Sequence, residues 1–449
     1  MEASKMWFKQ SIIFIGLFYF LVFGALPGIA AAQEKKKIYT LKKSVAAAMA
    51  GNWTLKAKEE NVHTSIYVKN RARAEFLPKL SMNYNYTRQS EARTFRSTLM
   101  AGGGAIAISS LDNFSWRGTL RQPIFTGFSL ISSYQLAKLG IDQSEMELEL
   151  EKLDLALRVK EAYFNILIAD KAIEVAKSDV ESRESSAKVA RSFYKVGMIP
   201  INDLLQAEVE LANAQQNLVN ARNVAMLNRS TFNIVLSKPI DESVEVEDIL
   251  GYEPERGDFQ AYLKNATENR PEIKLIDNNI LQTDQQIRIA KSGNYPEVAM
   301  TYNYIKEGDS PDVSGSPFHD KGRWEAMATV SWTFWEWGKT YYSAKEKESL
   351  RKELIQTRMA TEDRIKLELK EALLALATAG KNIPTTQQAV EQGEENLRVS
   401  QERYKAQVTT ITEVLDAQTR LTQARVNYFR ALYNHHLAQA RLERAMGTY

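Results

Sequence analysis

The chain is predicted to be mainly α-helical with a smaller β part, the whole unit occurring twice. Three observations predict this. Two runs, from about Ser129 to Lys195 and from about Lys339 to Lys405, hold a helical period and contain one proline, Pro384. Four shorter stretches alternate apolar and polar side chains, the period of a strand. Finally, Tyr194–Ala214 (YKVGMIPINDLLQAEVELANA) returns without a gap as Tyr404–Ala424 (YKAQVTTITEVLDAQTRLTQA). Tyr194, Leu205, Ala207, Leu211 and Ala214 thereby match Tyr404, Leu415, Ala417, Leu421 and Ala424 at a constant spacing of 210 residues.

In chain order, Lys5 and Lys9 precede the apolar run Ser11–Ala25, then Pro27, Gly28 and Ala30-Ala31-Ala32. Charge, apolar core and small-residue site in that order read as a secretory signal over residues 1–32. No later run reaches the ~20 apolar residues of a membrane helix, so a mature chain that crosses a membrane does so as a β-barrel.

The first repeat, residues 33–238, opens with a helix through Val45, Ala48, Leu55, Val62 and Val68 to about Ala74, stopped by Pro78. A β-hairpin over 80–124 follows. In its first strand Leu80, Met82, Tyr84 and Tyr86 alternate with Ser81, Asn83, Asn85 and Thr87. In its second, Phe114, Trp116, Leu120 and Ile124 face away from Ser115, Arg117, Thr119 and Arg121, and a loop with Gly102-Gly103-Gly104 joins the two. The second repeat, 262–449, has its hairpin over 298–335, with Val298, Met300, Tyr302 and Tyr304, then Trp324, Ala326, Ala328, Val330, Trp332 and Phe334, on the apolar face.

These strands have the ~9–11 residues of a tilted membrane strand, and their apolar faces carry aromatics near the ends, as an interfacial girdle would. Arg117, Arg121 and Glu325 fall on the polar face, which suits a wet barrel lumen. Four strands cannot close, since a barrel without edges takes at least about eight. The span must therefore be shared between protomers.

Each long run is on the order of 100 Å at 1.5 Å per residue, three times a bilayer core, so the helices project far beyond the membrane. Pro384, close after Gly380, is expected to bend or interrupt the second run. Each run ends in a tip turn, 194–203 or 404–413, and a shorter helix returns. Gly197 can close a helix in the left-handed conformation, Pro200 follows as a stop signal, and Thr410 and Glu413 have capping-box spacing. Leu204, Leu211 and Leu218 have the spacing of a coiled-coil seam, while Gln215, Gln216, Asn217 and Asn220 leave the other faces polar. Between the repeats, the acidic segment 239–261 is either a belt packed outside the helices or a flexible linker.

Composition excludes several classes. Lys and Arg number 58 against 55 Asp and Glu, so nothing points to nucleic acid. There is no cysteine, which removes disulfides, thiol catalysis, thiolate metal sites and a lipid-modified N-terminal cysteine. His63, His319, His435 and His436 have no metal-ligand spacing and read as surface histidines. No phosphate loop or nucleophile elbow occurs. The chain is not expected to be an enzyme or to carry a metal or cofactor. A secreted structural coiled coil is the remaining alternative; it explains the helices and the signal, and gives no reason for four aromatic-rimmed strands.

With YTLKKSVAAAMAGNW opening the first helix, FLPKLSMNYNY and NYPEVAMTYNY in the strands, QPIFTGF and WTFWEWGKT at the strand exits, and both tip motifs, nearly the whole mature chain resembles the TolC family of outer-membrane efflux and export channels. The resemblance implies a homotrimer in the outer membrane, with a shared twelve-stranded barrel and a periplasmic tunnel of twelve helices. It implies passive conduction for a tripartite efflux pump or type I secretion system. The partners would be a periplasmic membrane-fusion adaptor and an inner-membrane RND or ABC transporter. The matching adaptor-contact tips are Val196, Gly197 and Met198 in one turn and Ala406, Gln407 and Val408 in the other, where Gln407 replaces the usual glycine. Glu413 and Asp416 match acidic residues that narrow the closed channel, Asp203 and Tyr404 match members of its closed-state links, and Thr409 stands where the family's bridging arginine would be.

Overall fold

A computed structural model describes residues 38–96, 105–249 and 259–449. The expected signal sequence, Gly102-Gly103-Gly104 and residues 250–258 of the connecting segment lie outside the described residues.

The chain begins with β1 (Ile38–Tyr39), α1 (Leu41–Gly51) and α2 (Trp53–Ala74). The helical run expected to continue to Ala74 is thus split at Asn52. After Gly51, Asn52 leaves the helix with ψ 129° and caps α2, its side-chain oxygen accepting from the Thr54 and Leu55 amides at 2.9 and 3.2 Å. Its side-chain amide donates to the Val235 carbonyl, which fixes the break against the far end of the repeat.

Next come β2 (Lys79–Arg88), β3 (Thr94–Arg96), β4 (Ala105–Ala107), β5 (Asp112–Thr126), α3 (Ser129–Lys195) and α4 (Ile201–Val235). After β6 (Glu245–Val246) the second half runs α5 (Phe259–Asn269), α6 (Pro271–Lys291), a short 3₁₀ turn, β7 (Glu297–Gly308), β8 (Arg323–Ser331), α7 (Lys339–Lys405) and α8 (Ile411–Met446). Both ends of α7 lie 210 residues beyond those of α3, and each helix has 67 residues. The turns feeding them agree as well: Gly127 and Phe128 take φ 61° and 70°, Trp337 and Gly338 take 53° and 82°. The interruption expected at Pro384 is absent, since α7 passes through it unbroken. Proline removes one amide donor there, and the neighbouring Thr385 and Thr386 hydroxyls donate to the Lys381 and Asn382 carbonyls at 3.2 and 2.8 Å.

The four long strands form one antiparallel sheet in the order β2-β5-β7-β8. β2 and β8 are its edges. The last strand is shorter than expected, ending at Ser331 opposite Glu297 rather than near Trp335. Pro296, next along β7, has no amide with which to extend the ladder. In β5 the register shifts between Pro123 and Phe125, so Ile124 is the extra residue of a bulge. Phe125, opposite Val298, continues the apolar row that Ile124 was expected to end.

The helices form a matching open arc. Near the sheet the neighbours run α2-α3-α6-α7, and towards the tips α4-α3-α8-α7. The core is a wall with local thickenings. At mid-height Tyr39, Leu155, Val159, Tyr163, Ile166, Phe232, Val244 and Tyr433 pack together; a second group centres on Ile365, Leu369 and Leu442, and a third lies behind the tips. Along the first half of α4, Leu204, Ala207, Leu211, Ala214 and Leu218 are buried or half-buried, the alternating three-four spacing of a coiled-coil seam. No described helix is long and apolar enough to cross a membrane.

Candidate functional site

The two tips are built by the same backbone device. At the end of α3 the Met198 amide donates to the Phe193 carbonyl and the Gly197 amide to the Tyr194 carbonyl, both at 2.9 Å, with Gly197 at φ 74°. At the end of α7 the Val408 amide donates to the Arg403 carbonyl and the Gln407 amide to the Tyr404 carbonyl, again both at 2.9 Å, with Gln407 at φ 62°. Both are Schellman closures. Glutamine therefore adopts the left-handed conformation that glycine takes more cheaply, and the turn keeps its shape. Val196, Gly197, Met198, Ala406, Gln407 and Val408 are all exposed at this end of the molecule.

Behind the tips the duplication breaks down. Tyr194 is 40% exposed, whereas its counterpart Tyr404 is 5% exposed and packs on Phe193 with ring centroids 5.6 Å apart. The Tyr404 hydroxyl is buried without a hydrogen-bond partner. Burial, and then the charge of Asp203, pushes its pKa above the usual tyrosine value. Asp203 lies half-buried in the first turn of α4 and pairs with no cation among the described residues.

Glu413 stands in the first turn of α8, but the expected capping box does not form, because the Thr410 hydroxyl makes no cap bond. Instead the Glu413 carboxylate accepts from Arg403 Nη1 at 3.1 Å and from the Thr409 hydroxyl. A charge-assisted bond to a guanidinium outcompetes a neutral amide for the carboxylate. Thr409 thus serves Glu413, not Asp203. Asp416, three residues on, is exposed.

Periodicity gave no sign of the polar joints that hold these helices together. Arg183 and Asp179, 5% and 8% exposed, form an ion pair at 3.0 Å on α3. Arg183 also reaches Glu210 on α4 at 2.8 Å and Thr419 on α8 at 3.0 Å, while Thr422 donates to Asp179 at 2.9 Å. Gln418 donates to Ser182 and Ser186 at 2.8 and 2.9 Å. Higher up, Arg270 pairs with Glu272 and Glu368 at 2.6 and 2.7 Å, and Arg444 with Asp154, Glu272 and Glu368 at 2.9, 3.0 and 3.3 Å. Burial alone would raise the Glu272 pKa; hydrogen bonds and charge from Arg270, then the charge of Arg444, hold it below the usual glutamate value.

The described part of the connecting segment is docked at mid-height. β6 pairs in parallel with β1. Tyr163 donates to the Glu247 carbonyl at 2.6 Å and Tyr433 to Asp248 at 2.6 Å. Burial first, with the charge of Glu247, pushes Tyr163 up to about 12. His435, expected at the surface, is 3% exposed in α8, and the neighbouring His436 stacks on Phe164 of the mid-height packing with ring centroids 5.4 Å apart. Among the described residues no group of three His, Asp or Glu could hold a metal ion.

In the sheet, cross-strand partners share a face. Arg117 pairs with Asn83 and Ile305, Arg121 with Lys79 and Thr301, and Glu325 with Asn303, itself opposite Thr119. All three predicted residues thus share one polar face, where Arg323 joins them by ion pairs to Glu307 at 2.5 Å and Glu325 at 3.4 Å. The opposite face carries Tyr84, Tyr86, Phe114, Trp116, Tyr302, Tyr304 and Trp324.

Residues 30–230 and 262–448 match the family described as outer membrane efflux protein. The chain is 22% identical over 408 residues to outer membrane protein TolC of Escherichia coli, a match covering 84% of this chain and 76% of that protein. It is 21% identical over 421 residues to the probable efflux pump outer membrane protein SepC of Pseudomonas putida, covering 91% and 83%. The crystal structure of the Campylobacter jejuni CmeC outer membrane channel superposes with a TM-score of 0.77 at 17% identity, covering 91% of this chain and 85% of that one.

Proposed function

This chain belongs to the outer membrane efflux protein family, and on that premise we propose that it is the outer-membrane exit duct of a tripartite efflux pump or type I secretion system. It conducts passively from a periplasmic adaptor and an inner-membrane RND or ABC transporter to the cell exterior. The observation that carries this reading is a coincidence of open edges. β2 and β8 are unpaired at the two sides of the sheet, and the helix arc near the sheet ends on the same sides, in α2, which leads into β2, and in α7, which follows β8. Further copies meeting edge to edge close barrel and tunnel together, and a ring satisfies every strand edge as a membrane wall requires.

In this reading three protomers supply twelve strands and twelve helices, and the two repeats, 33–238 and 262–449, are joined by the belt 239–261. The face with Arg117, Arg121 and Glu325 lines the barrel lumen. The tips at Val196–Met198 and Ala406–Val408 meet the adaptor. Asp203, Tyr404, Glu413 and Asp416 form the periplasmic gate, six Glu413 and Asp416 carboxylates gathering near one axis, where they attract cations. With threonine at 409, the resting gate lacks the arginine bridge to Asp203. Single-channel current in a planar bilayer tests the reading. The wild type is expected to give a small, cation-preferring conductance, and Glu413→Ala/Asp416→Ala a larger, less selective one. A pore indifferent to the pair would remove the gate, and no pore would remove the duct.

A further inference from the structure

We propose that the aromatic face of the sheet holds a seat for an acyl chain of an anionic phospholipid of the surrounding bilayer, with Lys306 receiving the phosphate. The inference rests on the duct reading, which turns this face to lipid. A shallow groove of about 380 Å³ runs across the face between Leu80, Met82, Trp116, Leu120, Tyr302 and Tyr304. Its floor is Gly118, directly between Met82 and Tyr304 in the ladder. A Cβ there would come within 2.9 Å of the Trp116 ring, so the indole lies down beside the bare backbone and forms one wall. The missing side chain opens the groove in an otherwise continuous apolar surface.

The charge at the upper end of the groove selects the occupant. Lys306 lies on the same face, directly opposite Trp116 and two residues beyond Tyr304. It forms no ion pair with any described residue, whereas the other cation of this face, Arg88, is paired with Asp112 at 3.3 Å. A lysine on a lipid-facing strand is tolerated where its ammonium reaches the headgroup layer. An unpaired cation above an apolar groove matches an anionic headgroup above an acyl chain. A zwitterionic lipid would fill the groove, but its own headgroup cation competes with Lys306 for the phosphate, so the pairing is weaker.

The test uses the full-length protein purified in nonionic detergent and titrated with dimyristoylphosphatidylglycerol or dimyristoylphosphatidylcholine. Bound lipid is counted by native mass spectrometry, and conductance is recorded on the same preparation. The wild type is expected to retain the anionic lipid at about fivefold lower concentration than the zwitterionic one. Lys306→Gln should lose that preference while still holding lipid, and Leu80→Trp/Met82→Trp, which fills the groove, should lose retention of both lipids. Equal retention of the two lipids by the wild type, a preference that survives Lys306→Gln, or retention unaffected by filling the groove overturns the seat. When conductance is normal, such a result leaves the duct reading standing. Absence of conductance overturns the reading beneath it.

Discussion

At the residue scale, the two tips are a controlled comparison of glycine and glutamine in one turn. A Cβ at Gly197 would meet nothing within 4 Å, so space does not demand glycine; φ 74° does. Gly197→Ala is therefore expected to destabilise the first tip by about 1 kcal/mol, and Gln407→Gly to stabilise the second by a similar amount. Hydrogen exchange of the Met198 and Val408 amides, which close the two turns, reads each effect, faster in the first variant and slower in the second. Glu272 gives a pH prediction. Its folded pKa is below its unfolded value, so its contribution is fully present above about pH 4.5 and is lost as pH falls through the folded pKa. Thermal melts of the wild type should fall through that acid window. Glu272→Gln should start less stable at neutral pH, where Arg270 and Arg444 lose a partner, and should fall less on acidification. Identical pH slopes for the two proteins would mean that the Arg270–Glu272 joint is not linked to folding.

At the element scale, the Arg183 joint ties α3, α4 and α8 together behind the tips. Removing Arg183 alone leaves Asp179 buried with an uncompensated charge, a loss of the order of 3–5 kcal/mol, whereas exchanging both for apolar residues of similar volume can be close to neutral. Arg183→Met should accordingly lower the denaturation midpoint far more than Asp179→Leu/Arg183→Met, and equal losses would show that the pair is worth its full coulombic attraction. The joint also marks what a sequence can and cannot disclose. The spans of α3 and α7 follow from local period, because every turn of a helix repeats the same choice between buried and exposed. Arg183 and Thr419 are 236 residues apart, and nothing local says that they meet. The same holds for the end of β8, set by Pro296 on the neighbouring strand, and for the Asn52 break, fixed by a carbonyl at Val235. Of the candidate gate only the positions were legible, Tyr404, Glu413 and Asp416 around the second tip and Asp203 at the first. Arg403, the cation that holds Glu413, was not, because in sequence it is one more charged residue on a solvated helix.

At the scale of the whole molecule, the open edges make a prediction about number as well as contact. The chain has no cysteine, so two can be placed at will. Ser81 lies on edge strand β2 and Met327 on edge strand β8, both in a four-stranded sheet with two strands between them. Three strand spacings put these edges about 14 Å apart within one protomer, beyond the reach of a short bismaleimide, so a cross-link joins different chains. Treating Ser81→Cys/Met327→Cys in detergent should produce a ladder of covalent species that stops at three chains, and either single variant should stay monomeric on a denaturing gel. The ladder discriminates by symmetry: an isologous pairing of β2 with β2 would cross-link in the Ser81→Cys variant and stop at two, and an open head-to-tail filament would climb past three. Only a closed head-to-tail ring both requires two cysteines and ends, so the position of the last band counts the protomers that share the barrel.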